Sequence, residues 1–256
     1  MDKTSLGDRM KAYEAIPKNY LMRRQPVIIR LDGKAFHNFT RGFDKPFDNE
    51  FMVAMQSTMK YLCENIQGCV IGYTQSDEIS LVLCDYQKLD TDAWFGYNVQ
   101  KMVSVAASMA TFAFNNYFKT AILELAKDNY PKFVEKKDNA YKSLARGALF
   151  DARCFTVSVA EVNNCLLWRQ QDATRNSIQA LAQSLYSQKE IEGINTLKLQ
   201  DKMFTEKGVN WNDLATPKKR GACCIKGDDG WEIDFDIPIF SQQPEYVNSR
   251  ITFKED

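Results

Sequence analysis

The chain is 256 residues long with 45% apolar and 26% charged side chains, enough to bury a real core and too apolar for disorder. Its 33 basic residues balance its 33 acidic ones, so no global field marks a nucleic-acid partner and local patches must supply one. The longest apolar runs fall far short of the ~20 residues a membrane-spanning helix needs, and Met1-Asp2-Lys3-Thr4 lacks the profile of a signal peptide. A cytoplasmic protein with no membrane partner is expected.

Pro26 to Leu31 reads as a nearly continuous apolar strand, buried on both faces and broken by the turn signal Asp32-Gly33. After a loop with Lys45-Pro46, Asp48 is placed to cap a helix whose Phe51, Met55, Met59, Leu62 and Ile66 share one face. Gly68 ends that helix. Cys69 to Tyr73 and Ile79 to Leu83 then form a β-hairpin carrying Thr74-Gln75-Ser76-Asp77-Glu78 at its tip. A long helical region follows from about Tyr97, with Met102, Ala106, Met109, Ala113 and Tyr117 on one side. Phe150-Asp151-Ala152-Arg153 leads into a strand at Phe155 to Val159, and a helix runs from Asn163 to Tyr186. Finally, Ala222 to Ile225 and Trp231 to Phe240 suggest a hairpin about Lys226-Gly227-Asp228-Asp229-Gly230.

Strand, helix, strand, strand, helix, strand is the split βαβ order of ferredoxin-like folds. The expected class is therefore α/β in the α+β sense: a βαββαβ core over residues 1–160, with a mainly helical C-terminal extension over 161–256 that contributes to RNA binding and oligomer contacts. Right-handed crossovers set the first strand beside a hairpin strand, which brings Asp32 and Asp77 together. Carboxylates converging in this way suit Mg²⁺, a hard cation that takes oxygen ligands and substrate phosphate. Phosphoryl transfer at two ions about 3.5–4 Å apart is the matching chemistry.

The seven cysteines Cys63, Cys69, Cys84, Cys154, Cys165, Cys223 and Cys224 include no Cys-x-x-Cys pair and read as reduced packing residues. His37 is the single histidine, which excludes any two-histidine mechanism. The basic patches are Lys218, Lys219 and Arg220 in Pro217–Gly221, and Arg169 and Arg175 around Trp168-Arg169-Gln170-Gln171. Each is an RNA-binding candidate and each also reads as a solvated surface. Arg169 and Asp172 have the spacing of a surface ion pair, and Trp168 reads as a core anchor.

Arg30-Leu31-Asp32-Gly33-Lys34-Ala35-Phe36-His37, Gln75-Ser76-Asp77-Glu78, Phe150-Asp151-Ala152-Arg153 and Trp168-Arg169-Gln170-Gln171-Asp172, in that order, resemble the tRNA(His) guanylyltransferase family. Lys207-Gly208-Val209-Asn210-Trp211-Asn212-Asp213 and Lys219-Arg220-Gly221 are similar to its guanylyltransferase-like branch. The resemblance implies a polymerase-type palm that adds nucleotides to the 5′ end of tRNA after ATP or GTP activates the 5′ phosphate, with nucleoside triphosphates as substrates. It assigns two Mg²⁺ ions to Asp32, the Gly33 carbonyl and Asp77, with Glu78 in support. Nucleotide contacts fall to Lys34, Ala35, Phe36, His37, Lys45 and Ser76, with Phe36 and His37 facing base or ribose. Arg30, Lys101 and Arg153 match cationic positions of the activation step. A homotetramer is implied as well.

Family members that add one guanosine to histidine tRNA carry His-Ile-Asn-Asn-Leu-Tyr-Asn after the Trp-Arg-Gln segment, where this chain has Thr174-Arg175-Asn176-Ser177-Ile178-Gln179-Ala180. That departure favours template-directed repair of tRNAs with truncated or incomplete 5′ ends over non-templated guanosine addition. A nucleotidyl cyclase and a non-catalytic RNA-binding module are the competing readings.

Overall fold

The computed structural model describes residues 4–253; Met1, Asp2 and Lys3, on which part of the signal-peptide reading rests, lie outside it. In chain order the elements are α1 (Ser5–Ala15), β1 (Val27–Gly33), α2 (Phe36–Phe39), α3 (Asn49–Asn65), β2 (Cys69–Gln75), β3 (Glu78–Leu83), α4 (Val99–Asp128), α5 (Tyr130–Arg146), β4 (Phe150–Thr156), α6 (Val159–Leu185), α7 (Gln188–Ile191), α8 (Thr196–Lys207), α9 (Thr216–Arg220), β5 (Ala222–Gly227), β6 (Gly230–Asp234) and α10 (Glu245–Asn248). No helix among the described residues is long and apolar enough to cross a membrane.

One six-stranded sheet in the order β4-β1-β3-β2-β5-β6, antiparallel at every pairing, organises the molecule. It is a mixed α/β fold. Strand β1 is central because it is apolar on both sides: Val27, Ile29 and Leu31 enter the core shared with α3 and α4, while Ile28 enters the core shared with α6. That period of two also places Arg30 and Asp32 on the α6 side. As expected, β1 lies beside the second hairpin strand, with Asp32 opposite Glu78. Asp48 caps α3 by accepting the Phe51 amide at 3.0 Å, and Cys223 and Cys224 are fully buried in β5.

Several boundaries differ from expectation, each for a physical reason. The hairpin loop is only Ser76-Asp77, with Ser76 at φ 49°, so the strands reach Gln75 and Glu78; a two-residue loop requires positive φ. Strand β4 starts at Phe150, not Phe155, and ends at Thr156. As an edge strand it tolerates the exposed Asp151 and Arg153 that made this stretch look unlike a strand. Helix α4 starts at Val99 because Phe95, Gly96 and Tyr97 all take positive φ. A separate helix, α5, follows; Asn129 caps it by accepting the Lys132 amide, and Pro131 lies in its first turn. Strand β6 stops at Asp234, after which Phe240 folds back to full burial, its amide donating to Gln170 Oε1 at 3.0 Å.

Candidate active site

The carboxylates meet at the end of β1. The Gly33 amide donates to the Asp77 carbonyl at 3.0 Å, and the Thr74 hydroxyl donates to the Glu78 carbonyl at 2.9 Å, which fixes the hairpin. The Ser76 hydroxyl donates to Asp77 Oδ1 at 3.0 Å. Burial pushes the Asp77 carboxyl above its usual range, and the charge on Asp32 adds to the rise against the Ser76 bond. Asp77 at the hairpin tip is thus held beside Asp32 at the end of β1, whose charge adds to the rise of the Asp77 carboxyl.

Glu78 is buried behind them. Its Oε1 takes the Arg169 Nε at 2.7 Å, and a second Arg169 nitrogen reaches Asp172 at 2.8 Å. Burial raises the Glu78 carboxyl, and Arg169 and then Arg30 oppose the shift without cancelling it. Arg169 is only 8% exposed, so the surface ion pair expected of it is instead an internal strut, and its guanidinium is committed within the protein rather than facing RNA. The sequence carried a signal for this: Val162, Leu166, Arg169 and Ala173 fall on one helical stripe, and all four are buried.

Trp168, one position around α6, is 49% exposed and is not the expected core anchor. Arg30 and Arg169 stand over its ring at 5.4 and 4.4 Å from the centroid. Arg153, opposite Arg30 in the sheet, pairs with Asp151 at 2.9 Å and approaches Asp32 at 4.0 Å. Arg30 and Arg153 therefore flank the carboxylates. Lys101 does not join them: it is exposed on α4, which covers the other face of the sheet, with its ammonium 5.8 Å from the Phe95 ring centroid.

The turn after Gly33 divides its residues. Lys34, Ala35 and His37 are exposed. Phe36 is only 4% exposed, packed among Phe39, Phe51, Phe114 and Phe150, and cannot face a base or ribose as expected. Its ring lies so close under the turn that a Cβ on Gly33 would stand 2.3 Å from it, so only glycine fits there.

Beside the hairpin tip, Gln75 and Ser76 open onto a cavity of about 220 Å³. Pro46 and Phe47, α6 residues including Asn176, and the basic Lys218 and Arg220 complete its wall. The basic segment is fastened to the hairpin: Tyr73 Oη donates to the Arg220 carbonyl at 2.7 Å, and Ser177 Oγ to that of Lys218 at 2.6 Å. Gly221, at φ +85°, lies so near the Thr74 carbonyl that a Cβ would be 2.3 Å away. Lys219 reaches the Asn212 carbonyl at 2.7 Å, and Arg175 is exposed beside Asp172. Among the described residues, the carboxylates closest to a three-ligand cation geometry are Asp44, Asp48 and Glu50. The Lys136 ammonium already fills their centre.

Paired carboxylates at a sheet end, with arginines alongside and a basic cavity next to them, suit nucleotidyl transfer. A family model for tRNA(His) guanylyltransferase matches residues 7–158, more than half of the chain, and the protein belongs to that family of nucleotidyltransferases. A bacterial tRNA(His) guanylyltransferase-like protein solved in complex with ATP superposes with TM-score 0.84 at 42% identity, over 96% of this chain and 99% of that one. A bacterial structure of the same description in complex with GTP gives 0.79 at 38%, over 97% and 99%. The Saccharomyces cerevisiae enzyme shares the fold, with TM-score 0.65 at 19% identity over 91% and 98%. Among curated proteins, an uncharacterized Acanthamoeba polyphaga mimivirus protein is 29% identical over 98% of this chain and 89% of its own length. A probable tRNA(His) guanylyltransferase of Drosophila melanogaster is 24% identical over 78% of this chain, a match spanning 66% of the fly protein.

Proposed function

We propose that the protein repairs tRNA 5′ ends by template-directed 3′–5′ nucleotide addition, after ATP or GTP activates the 5′ phosphate. The observation that carries the templated reading is the α6 wall of the cavity. Asn176, Ser177 and Ala180 line it within residues 174–180, the stretch where the single-guanosine enzymes carry the His-Ile-Asn-Asn-Leu-Tyr-Asn run. Small, uncharged side chains there leave base selection to pairing with the opposite strand.

The palm reading draws support from the strand order β4-β1-β3-β2 with α3 and α4 on one face. Asp32, the Gly33 carbonyl and Asp77 are the residues that would hold two Mg²⁺ ions. Their all-oxygen donor set suits a hard cation, and a cation there would favour the charged form of the raised Asp77 carboxyl. Bound there, such ions neutralise phosphate charge and lower the pKa of the attacking hydroxyl. The protein's own contribution is positioning and charge. Lys34, Ala35 and His37 border the triphosphate, Ser76 and Lys45 contact phosphates, and Arg30 and Arg153 stabilise charge on the phosphoryl oxygens during activation. Lys101 is not assigned to that cluster. By the same family reading, residues 1–160 catalyse, 161–256 contribute RNA and subunit contacts, and the protein acts as a cytoplasmic homotetramer.

The direct test is to incubate the protein with Mg²⁺, ATP, all four nucleoside triphosphates and a labelled tRNA lacking its first nucleotide, varying the opposite base. Extension that follows the template is expected. Guanosine addition whatever the template would replace repair with histidine-tRNA maturation, and cyclic products from nucleotides alone would point to a cyclase.

Lys218, Lys219 and Arg220 serve as the phosphate-contacting RNA surface. Lys219→Ala and Arg220→Ala are each expected to lower the salt slope of tRNA binding by about one. Titrations at two salt concentrations read this; an unchanged slope assigns the charges to solvent.

A further inference from the structure

Helix α5 buries a polar stripe alongside the apolar Phe133, Ala140 and Leu144 that meet the core. Lys132, Lys136, Asn139, Ser143 and Arg146 recur at steps of four, three, four and three, the spacing of a single helical face. Each touches the stretch that runs from α2 into the first turn of α3. Lys132 pairs with Asp44 at 2.9 Å, and Asn139 Nδ2 donates to the Gly42 carbonyl at 3.2 Å. Ser143 Oγ donates to the Phe39 carbonyl and Arg146 to that of Asn38, both at 2.5 Å. Lys136, only 7% exposed, sets its ammonium among Asp44 at 3.3 Å, Asp48 at 2.6 Å and Glu50.

The segment so held has little structure of its own. Residues 41–48 form neither helix nor strand, yet they carry Lys45 and place Pro46, Phe47 and Asp48 on the cavity wall facing Ser76. A chain without a backbone ladder keeps one geometry only if its polar groups are satisfied from outside. The α5 stripe does this at Gly42, Asp44 and Asp48, and holds the end of α2 just before the segment through Ser143 and Arg146. Lys136 is its focus because three carboxylates this close repel one another unless a cation stands between them.

We infer that α5 is a strut that shapes the Asn38–Glu50 segment for nucleotide binding, with Lys136 as its main positioning residue. The inference rests on the proposal that Lys45 and its neighbours contact the nucleotide. It acts on binding geometry, so its signature is a raised KM for ATP rather than a lowered kcat.

Lys136→Met is expected to raise KM for ATP about tenfold, equivalent to 1.4 kcal/mol, with kcat largely kept, and to speed tryptic cleavage after the exposed Arg41. Lys136→Arg restores the charge and is expected to recover most of the affinity. Ser143→Ala removes one carbonyl contact without disturbing charge and is expected to raise KM about threefold; it decides the matter if Lys136→Met does not fold. Lys45→Ala separates the two ideas. If it leaves ATP binding unchanged, the nucleotide role of the loop fails and the inference falls with it. If Lys45→Ala weakens ATP binding while folded Lys136→Met and Ser143→Ala keep the parent KM, the strut alone is overturned.

Discussion

Asp77→Ala is expected to lower metal-dependent nucleotide addition by about 10³-fold or more while leaving the fold intact. Metal-assisted stabilisation of phosphoryl charge contributes several kcal/mol, and each 1.36 kcal/mol is a factor of ten. The neighbouring Glu78 is held by Arg169 and is not free to take its place. Stability is expected to move the other way. The Asp77 carboxyl is raised by burial and by Asp32, so the ionised group costs the folded protein free energy at neutral pH, and its removal should hold or slightly raise the melting temperature. Single-turnover extension of a 5′-truncated tRNA, alongside a thermal melt, reads both. Normal turnover in the variant would remove the proposed metal site.

Much of this site was legible in the sequence because it depends on strand geometry. An apolar run ending in Asp32-Gly33 and a hairpin ending in Ser76-Asp77 fix their partners once β1 pairs with β3. The errors fell where sequence spacing does not say which way a side chain faces. Phe36 follows Gly33 by three residues, yet the left-handed Ala35 before it starts a helix that directs the ring inward. Trp168 and Arg169 are adjacent, and the larger apolar one is outside while the charged one is inside. The buried Glu78 decides that arrangement, and Glu78 is 91 residues away in sequence. The α5 stripe is subtler still: Lys, Lys, Asn, Ser and Arg at helical spacing read as a solvated face until a loop is found to need them.

The inward arginine gives the second large expectation. Arg169→Met should lower stability by about 3–5 kcal/mol, the cost of leaving a buried charge without its partner. Glu78, 8% exposed, would be that charge. The sign of the pH dependence follows. A carboxyl whose folded pKa is raised binds more protons in the native state than in the unfolded one, so stability falls as pH rises above the ordinary glutamate value of 4.5 toward the folded one. Removing Arg169 takes away the largest opposing charge, raises Glu78 further and extends that window upward. The variant should therefore melt closer to the parent at pH 5 than at pH 8. Adding Glu78→Gln removes the orphaned charge and is expected to recover most of the loss. A double variant no more stable than Arg169→Met would mean that the cost lies in packing against Trp168 and Asp172, not in Glu78. If the pair instead behaves as argued, Arg169 limits the rise of the buried carboxyl next to Asp77, and α6 tunes the electrostatics of the hairpin from behind.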